Sequence, residues 1–203
     1  VNAAAWRAQE EFMAGTVRPN IERHRKNDVT LRVVGADGRP LRGMPIDIRQ
    51  IDSLFRFGSA LGYFARPPGW QNTERSAYTV DPRELERMAE VFNFSVTGYS
   101  GKWLAMEPQR DNVFTNDMDR YVAWCREHRV RVQFHFVTGY EPSWFKALDP
   151  AEKERRLVAR ARALAERYGN DIESWQVMNE KHLYAHAPAA FRALRDALPT
   201  TSL

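Results

Sequence analysis

"RVQFHFVTGYEPSWFKALDPAEKERRLVARARALAERYGNDIESWQVMNE", residues Arg131 to Glu180, decides the fold, because one helical pattern lies between two strand patterns. The first segment, "RVQFHFVTG", is short, apolar and rich in Val and Phe. The middle segment opens on Asp149 as N-cap, Pro150 at the first helical position and Glu152 as the capping-box carboxylate, and Gly169 supplies a C-terminal stop. Within it Leu157, Val158, Ala161, Leu164, Ala165 and Tyr168 recur at helical spacing, which puts Arg155, Arg156, Arg160 and Arg162 around the rest of the cylinder as a solvated face. The last segment, "IESWQVMNE", is again strand-like. Strand, helix and strand in this order imply parallel strands joined by a crossover helix.

The same alternation extends outward on both sides. "LFRFGSAL" from Leu54, "DPRELERMAEVF" and "FNFSVTGY" precede it together with "NDMDRYVAWCREH", and "APAAFRALRDAL" follows. About four βα units therefore succeed one another. No Gly-rich G-x-G-x-x-G or Walker loop follows any of the strands, so nothing recommends a doubly wound nucleotide-binding sheet. The fold class is α/β of the (β/α)8 TIM-barrel type, with about four units present.

The leader, residues 1–52, reads differently from the barrel segment, residues 53–203. A helix from Ala3 to about Ala14 would carry Trp6, Phe12 and Met13 on one face. Val29, Leu31 and Val33 then alternate with polar partners, "GADGR" offers a turn at Gly35 to Arg39, and Ile46 and Ile48 alternate again, which predicts a small β-hairpin module.

Composition narrows the function. The chain has 203 residues, 43% of them apolar and 12% aromatic, enough for one sizeable core. Its net charge of +4 comes largely from "RPNIERHRK" and the arginine-bearing helix, with no aromatic interleaving along a groove, so no nucleic-acid partner is expected. No window approaches the roughly eighteen uninterrupted apolar residues of a membrane span, and no membrane partner is expected. Cys125 is the single cysteine, which excludes an intramolecular disulfide and a Cys-based zinc site.

In a barrel of parallel strands chemistry collects at the C-terminal strand ends. Those ends are read as Gly58-Ser59, Thr97 to Lys102, His135 to Thr138 and Asn179-Glu180, along one rim. Trp103 is the better candidate for an indole that stacks on a ligand, and Trp144, beside Pro142 and Ser143, reads as packing. Glu107 and Glu141 read as structural or rim carboxylates; His24, His128 and Cys125 are assigned no role.

These segments, in this order, resemble glycoside hydrolase family 10, the (β/α)8-barrel endo-β-1,4-xylanases: "FRFGSAL", "FNFSVTGYSGKWLAMEP", "VRVQFHFVTGYEPSWF" and "IESWQVMNE" match its first four strands. The resemblance implies that Glu180 is the general acid/base and that Asn179 holds the sugar 2-hydroxyl beside the bond being cut. It also implies that Lys102 and His135 contact sugar, and that the partner is a xylan-like polysaccharide or oligosaccharide. Two departures stand out. Tyr99-Ser100-Gly101 replaces the family's usual Glu-Asn pair before Lys-Trp, and Val137, Thr138 and Gly139 stand where the family has Trp-His.

Retaining hydrolysis needs two carboxyl groups roughly 5 to 5.5 Å apart. The family's nucleophile ends its seventh strand, so it is not in this chain. The expectation is a chain that either self-associates or is completed by a C-terminal half, secreted or extracellular, although "VNAAAWRAQEEF" lacks the basic-then-apolar order of a signal peptide. No cofactor and no metal are assigned. Two alternatives are carried: a non-catalytic carbohydrate-binding or interaction half-barrel, and a metal-dependent enzyme using His135, Glu180, His182 and His186, of which His182 and His186 would share a helix face.

Overall fold

Asp149 caps its helix as the sequence requires, its carboxylate accepting from Glu152 N at 2.9 Å, and Asp81 does the same for Arg83 N at 2.8 Å, each with a proline at the start of the helix. The computed structural model describes residues 3–64, 79–179 and 186–203. It divides into two compact units, Val1–Arg49 and Gln50–Leu203.

In the first unit, α1 (Ala3–Phe12) passes through a π-helical turn (Met13–Val17) into α2 (Arg18–Arg25). The flanking Phe12, Val17 and Arg18 all keep helical dihedrals, so the helix widens without breaking. Pro19 explains the widening. It has no N–H, and its ring would press on the carbonyl four residues back in a regular α-turn. Of the expected hairpin, the structure forms the turn and a single antiparallel bridge, Val34 to Pro40, with Gly38 at φ 75° and Leu41 N donating to Val33 O at 2.9 Å. Ile46 and Ile48 join no ladder. Pro40 is tolerated in the bridge because the flanking bonds, Gly35 N to Arg39 O and Leu41 N to Val33 O, make Val34–Pro40 a pair that needs no proline N–H.

The second unit holds β1 (Gly58–Leu61), α3 (Pro82–Val91), β2 (Phe94–Thr97), α4 (Trp103–Met106), α5 (Asn116–Glu127), β3 (Arg131–His135), α6 (Ser143–Lys146), α7 (Pro150–Tyr168), β4 (Ser174–Gln176) and α8 (Ala187–Ala197). The strands form one four-stranded parallel sheet in the order β1-β2-β3-β4. Burial alternates along β2, β3 and β4. Ser95, Thr97, Val132, Phe134 and Trp175 are buried; Val132, Phe134 and Trp175 join one core with Met118, Tyr121, Leu157, Ala161, Leu164 and Leu194 of the helices. Val96, Gln133, His135 and Gln176 fall on the other, less buried face.

Two details differ from the sequence reading. β1 begins at Gly58, whose register partner is Phe94, whereas Leu61 is level with Thr97. Gly58 therefore lies at the opposite end of the sheet from Thr97 and does not share its rim. The apolar run "LFRF" is the approach to the strand: Asn93 Nδ2 donates to Ser53 O and Phe55 O, and Asn93 Oδ1 accepts from Phe57 N. Also, Gly169 ends α7 with ordinary helical dihedrals. Its requirement is for close approach, since a Cβ there would come within 2.7 Å of Leu198 Cδ2 and 2.4 Å of Ala165 O.

The outer edge of β4 is not bare. Ser202 makes a parallel bridge to Ser174, and Trp175 N donates to Ser202 O at 2.9 Å, at the place a fifth strand would take.

Candidate active site

The site is built where β2, β3 and β4 end. His135, the last residue of β3, is register partner to Gln176, the last of β4. Because both lie on the same face of adjacent strands, their side chains meet, with His135 Nδ1 2.6 Å from Gln176 Oε1. Gln176 Nε2 donates in turn to Asn179 Oδ1 at 2.8 Å. The directions follow from chemistry: an amide oxygen only accepts, so Nδ1 carries the proton. Asn179, its oxygen engaged, keeps its NH2 as a donor.

His135 is also held from the β2 side. Thr97 is fully buried, and its Oγ1 accepts from His135 N at 2.8 Å. Gly101 lies against the same atoms; a Cβ there would stand 2.6 Å from Thr97 Oγ1 and 3.1 Å from His135 O. Beyond the strand ends, Val137 N donates to Gln176 O and Thr138 N to Val177 O, which carries β3–β4 pairing toward Asn179.

Lys102 caps α4 and is 9% exposed. Its Nζ sits 3.7 Å from the Tyr99 ring centroid and 4.0 Å from that of Tyr140, an aromatic pair that attracts the ammonium through both rings. Tyr140 is 46% exposed, has φ 48°, and accepts Leu104 N on its carbonyl at 3.0 Å.

Trp103 has a different use from the one expected. It is 1% exposed, its ring centroid lies 4.4 Å from that of Phe145, and Nε1 donates to Glu107 Oε2 at 2.9 Å. An indole enclosed in this way presents no face to a sugar. Trp144 packs as expected, edge-on to Trp103 and donating to Glu107 O at 3.0 Å. Glu107 is structural: its second oxygen accepts from Asp111 N at 3.0 Å. Cys125 is buried, which pushes its thiol up to about 12 and leaves it unreactive.

Glu180 and His182 lie outside the described residues. His186, the N-cap of α8, is described, and its carbonyl accepts from Ala189 N at 3.1 Å. Among the described residues, no group of three or more His, Cys, Asp or Glu side chains could hold a metal ion, and no helix is long and apolar enough to cross a membrane.

Sequence reading missed Gln176 and Arg160. Gln176 was legible, since alternation along "SWQV" puts it opposite Trp175 and beside His135. Arg160 was read as solvated, yet its Nε donates to Val137 O at 3.0 Å and its Nη2 to Gly101 O at 2.8 Å. It lies three residues after Leu157 and four before Leu164, which are both buried, so it shares their stripe.

Four consecutive parallel βα units with polar groups gathered at the C-terminal strand ends define part of a (β/α)-barrel. Residues 69–199 match the model of glycosyl hydrolase family 10, and the chain belongs to that family. It is similar to endo-1,4-beta-xylanase 4 of Arabidopsis thaliana, 26% identical over 182 residues, which are 86% of this chain and 28% of the relative. Endo-1,4-beta-xylanase 2 of the same plant is 24% identical over 77% of this chain and 14% of its own length. Among solved structures, a glycosylated endo-beta-1,4-xylanase from Gloeophyllum trabeum superposes with TM-score 0.58 at 20% identity, over 72% of this chain and 49% of that one. Native xylanase 10B from Thermotoga maritima gives 0.57 at 18%, over 71% and 47%. The chain thus spans less than a third of these curated relatives and about half of these solved chains.

Proposed function

We propose that this chain forms the acid/base half of a retaining, xylanase-type glycoside hydrolase acting on β-1,4-linked xylan. Glu180 would protonate the leaving oxygen, Asn179 hold the neighbouring hydroxyl, and His135 and Lys102 contact sugar, with the nucleophile supplied from outside these residues. The observation that supports this reading best is the line His135–Gln176–Asn179, which fixes the Asn179 side chain, immediately before Glu180 in the sequence, by its oxygen and keeps its NH2 as a donor. Donors fixed in advance of binding are what an oxocarbenium-like transition state rewards. A polymeric substrate implies an extracellular setting.

The remaining half also answers a packing need. Gly58, Ser59 and Ala60 of β1 are exposed, and parallel sheets are ordinarily covered on both faces. A completing C-terminal half fits this need, and a second copy of the chain is the alternative that sedimentation would reveal as a dimer.

The test is reducing-sugar release from xylan by the completed barrel, with and without Glu180→Gln. An amide cannot deliver a proton, so a loss of about 10²- to 10⁴-fold is expected, with partial retention on aryl xylosides whose leaving group needs no protonation. Equal turnover of polymeric xylan would remove Glu180 from the mechanism. Tight xylo-oligosaccharide binding without any hydrolysis would favour the non-catalytic carbohydrate binder.

A further inference from the structure

Among the described residues, Arg160 is the one cation whose fork reaches loops after two different strands. Its Nε donates to Val137 O, two residues beyond His135, and its Nη2 donates to Gly101 O, the residue before Lys102. The guanidinium carbon lies 5.1 Å from the Trp103 ring centroid, and both Nη atoms lie 3.8 Å from Met106 Sδ. Burial pushes its pKa down to about 9, with Glu107 and Tyr168 pulling the other way. The group is still protonated at neutral pH, so both bonds are charge-assisted.

The carbonyls it joins are close to the site. Val137 N and Thr138 N bond to Gln176 O and Val177 O, so the Val137 segment is fixed to the one that carries Asn179. Gly101, on the other side, rests on Thr97 Oγ1 and His135 O. A shift of either carbonyl would therefore move Lys102 relative to His135 and Asn179. A lysine could reach one carbonyl but could not span both, because only the planar guanidinium offers donors at two fixed directions.

We infer that Arg160 is a positioning residue for sugar binding: by joining Gly101 O to Val137 O it sets the spacing of Lys102 against His135 and Asn179 across the mouth. This rests on the reading of that mouth as a sugar site. Arg160 does not touch sugar; it acts through the two loops.

The test compares the unsubstituted protein with Arg160→Ala, Arg160→Lys and the exposed control Arg162→Ala. Three quantities are read: melting temperature, xylohexaose affinity by titration calorimetry well below the melting point, and NMR signals of the His135 ring and the Lys102 ε-methylene. In Arg160→Ala the two NMR signals should shift and xylohexaose binding weaken by tenfold or more. Methylguanidinium at low millimolar concentration should restore both, because it refills the vacated fork. Arg160→Lys should fall between, and Arg162→Ala should change nothing. If the alanine variant fails to fold, the lysine variant decides: unmoved His135 and Lys102 signals there overturn the inference. A lower melting temperature with unchanged signals and affinity would also overturn it, leaving Arg160 a packing residue. Should the unsubstituted protein not bind xylohexaose, the sugar-site reading fails, and the positioning claim stands or falls on the NMR signals alone.

Discussion

The two ends of the four-stranded sheet are held by different physics. At the C-terminal end the contacts are short, enclosed and mostly uncharged: Thr97 Oγ1 to His135 N, His135 to Gln176, Gln176 to Asn179, and one arginine on two carbonyls. At the N-terminal end they are ion pairs around an open groove of about 1220 Å³, lined by Asp52, Arg126, Arg131 and Glu173 among others. Arg56 meets Glu173 at 2.6 Å, Arg131 meets Asp52 at 2.8 Å and Glu173 at 3.4 Å, and Arg126 meets Asp171 at 3.5 Å. Asp52, Arg126, Arg131 and Glu173 find their partners among neighbouring charges, whereas the C-terminal end keeps mostly neutral donors and acceptors in fixed directions. Barrels separate stability from chemistry along the strand axis in this way.

The largest test of this contrast is Trp103→Ala. The ring is enclosed against Phe145, Trp144 and the Arg160 guanidinium, so its loss should cost about 3 to 5 kcal/mol of stability. Denaturant unfolding reads this directly. A cost under about 1 kcal/mol would mean that the indole is not in the core, and would restore it as a sugar platform.

Thr97→Val should come next. The shapes match, but valine cannot accept from His135 N, and an unsatisfied buried N–H costs about 1 to 3 kcal/mol. The His135 ring should lose its single orientation, seen as exchange broadening of its NMR signals. A sharp, unshifted ring would show that Gln176 alone orients it.

These positions also show what was legible in the sequence. The parallel βα order, the helices and their Asp-Pro caps could be read because periodicity and capping act locally. Asn179 and His135 could be placed near strand ends through the resemblance, and alternation alone would have added Gln176. Arg160 was not read correctly, because a charged residue in an apolar stripe is settled by whether carbonyls from other segments come to meet it. The hairpin failed for the opposite reason: the local alternation was favourable, but it does not say whether a second strand comes to pair, and only the Val34–Pro40 bridge forms. The start of β1 was misjudged because "LFRF" is apolar whether it pairs in the sheet or leads into it.

Asp119, which joins α5 to α7, lies between the two extremes. Partial burial raises its pKa, but hydrogen bonds from Arg167 and Tyr168 outweigh this and hold the carboxyl below the ordinary aspartate value. A depressed folded-state pKa contributes stability that is fully present above the unfolded value, about 3.9, and that fades as pH falls through the lower folded value. Asp119→Asn should therefore cost about 1 kcal/mol at pH 7 and progressively less below pH ~4. Thermal melts of both forms from neutral to acidic pH should converge. A gap that stays constant with pH would mean that the asparagine disturbs packing and not charge.

The smallest effect belongs to the N-terminal end. Arg56 and Glu173 approach to 2.6 Å, but their side chains remain 29% and 37% exposed, so the pair gains little over solvation by water. A double-mutant cycle with Arg56→Met and Glu173→Gln should give a coupling of about 0.2 to 1 kcal/mol. The cycle is needed because Glu173 also faces Arg131, and a single substitution would disturb both pairs. Raising salt from about 0.05 to 0.5 M shortens the screening length several-fold, so the coupling should shrink toward zero. The cost of Thr97→Val should not change over the same range, since no charge is involved. If instead the Arg56–Glu173 coupling exceeded the Thr97 effect and survived high salt, the two ends would not differ in the way described, and the N-terminal groove would be as rigidly organised as the mouth.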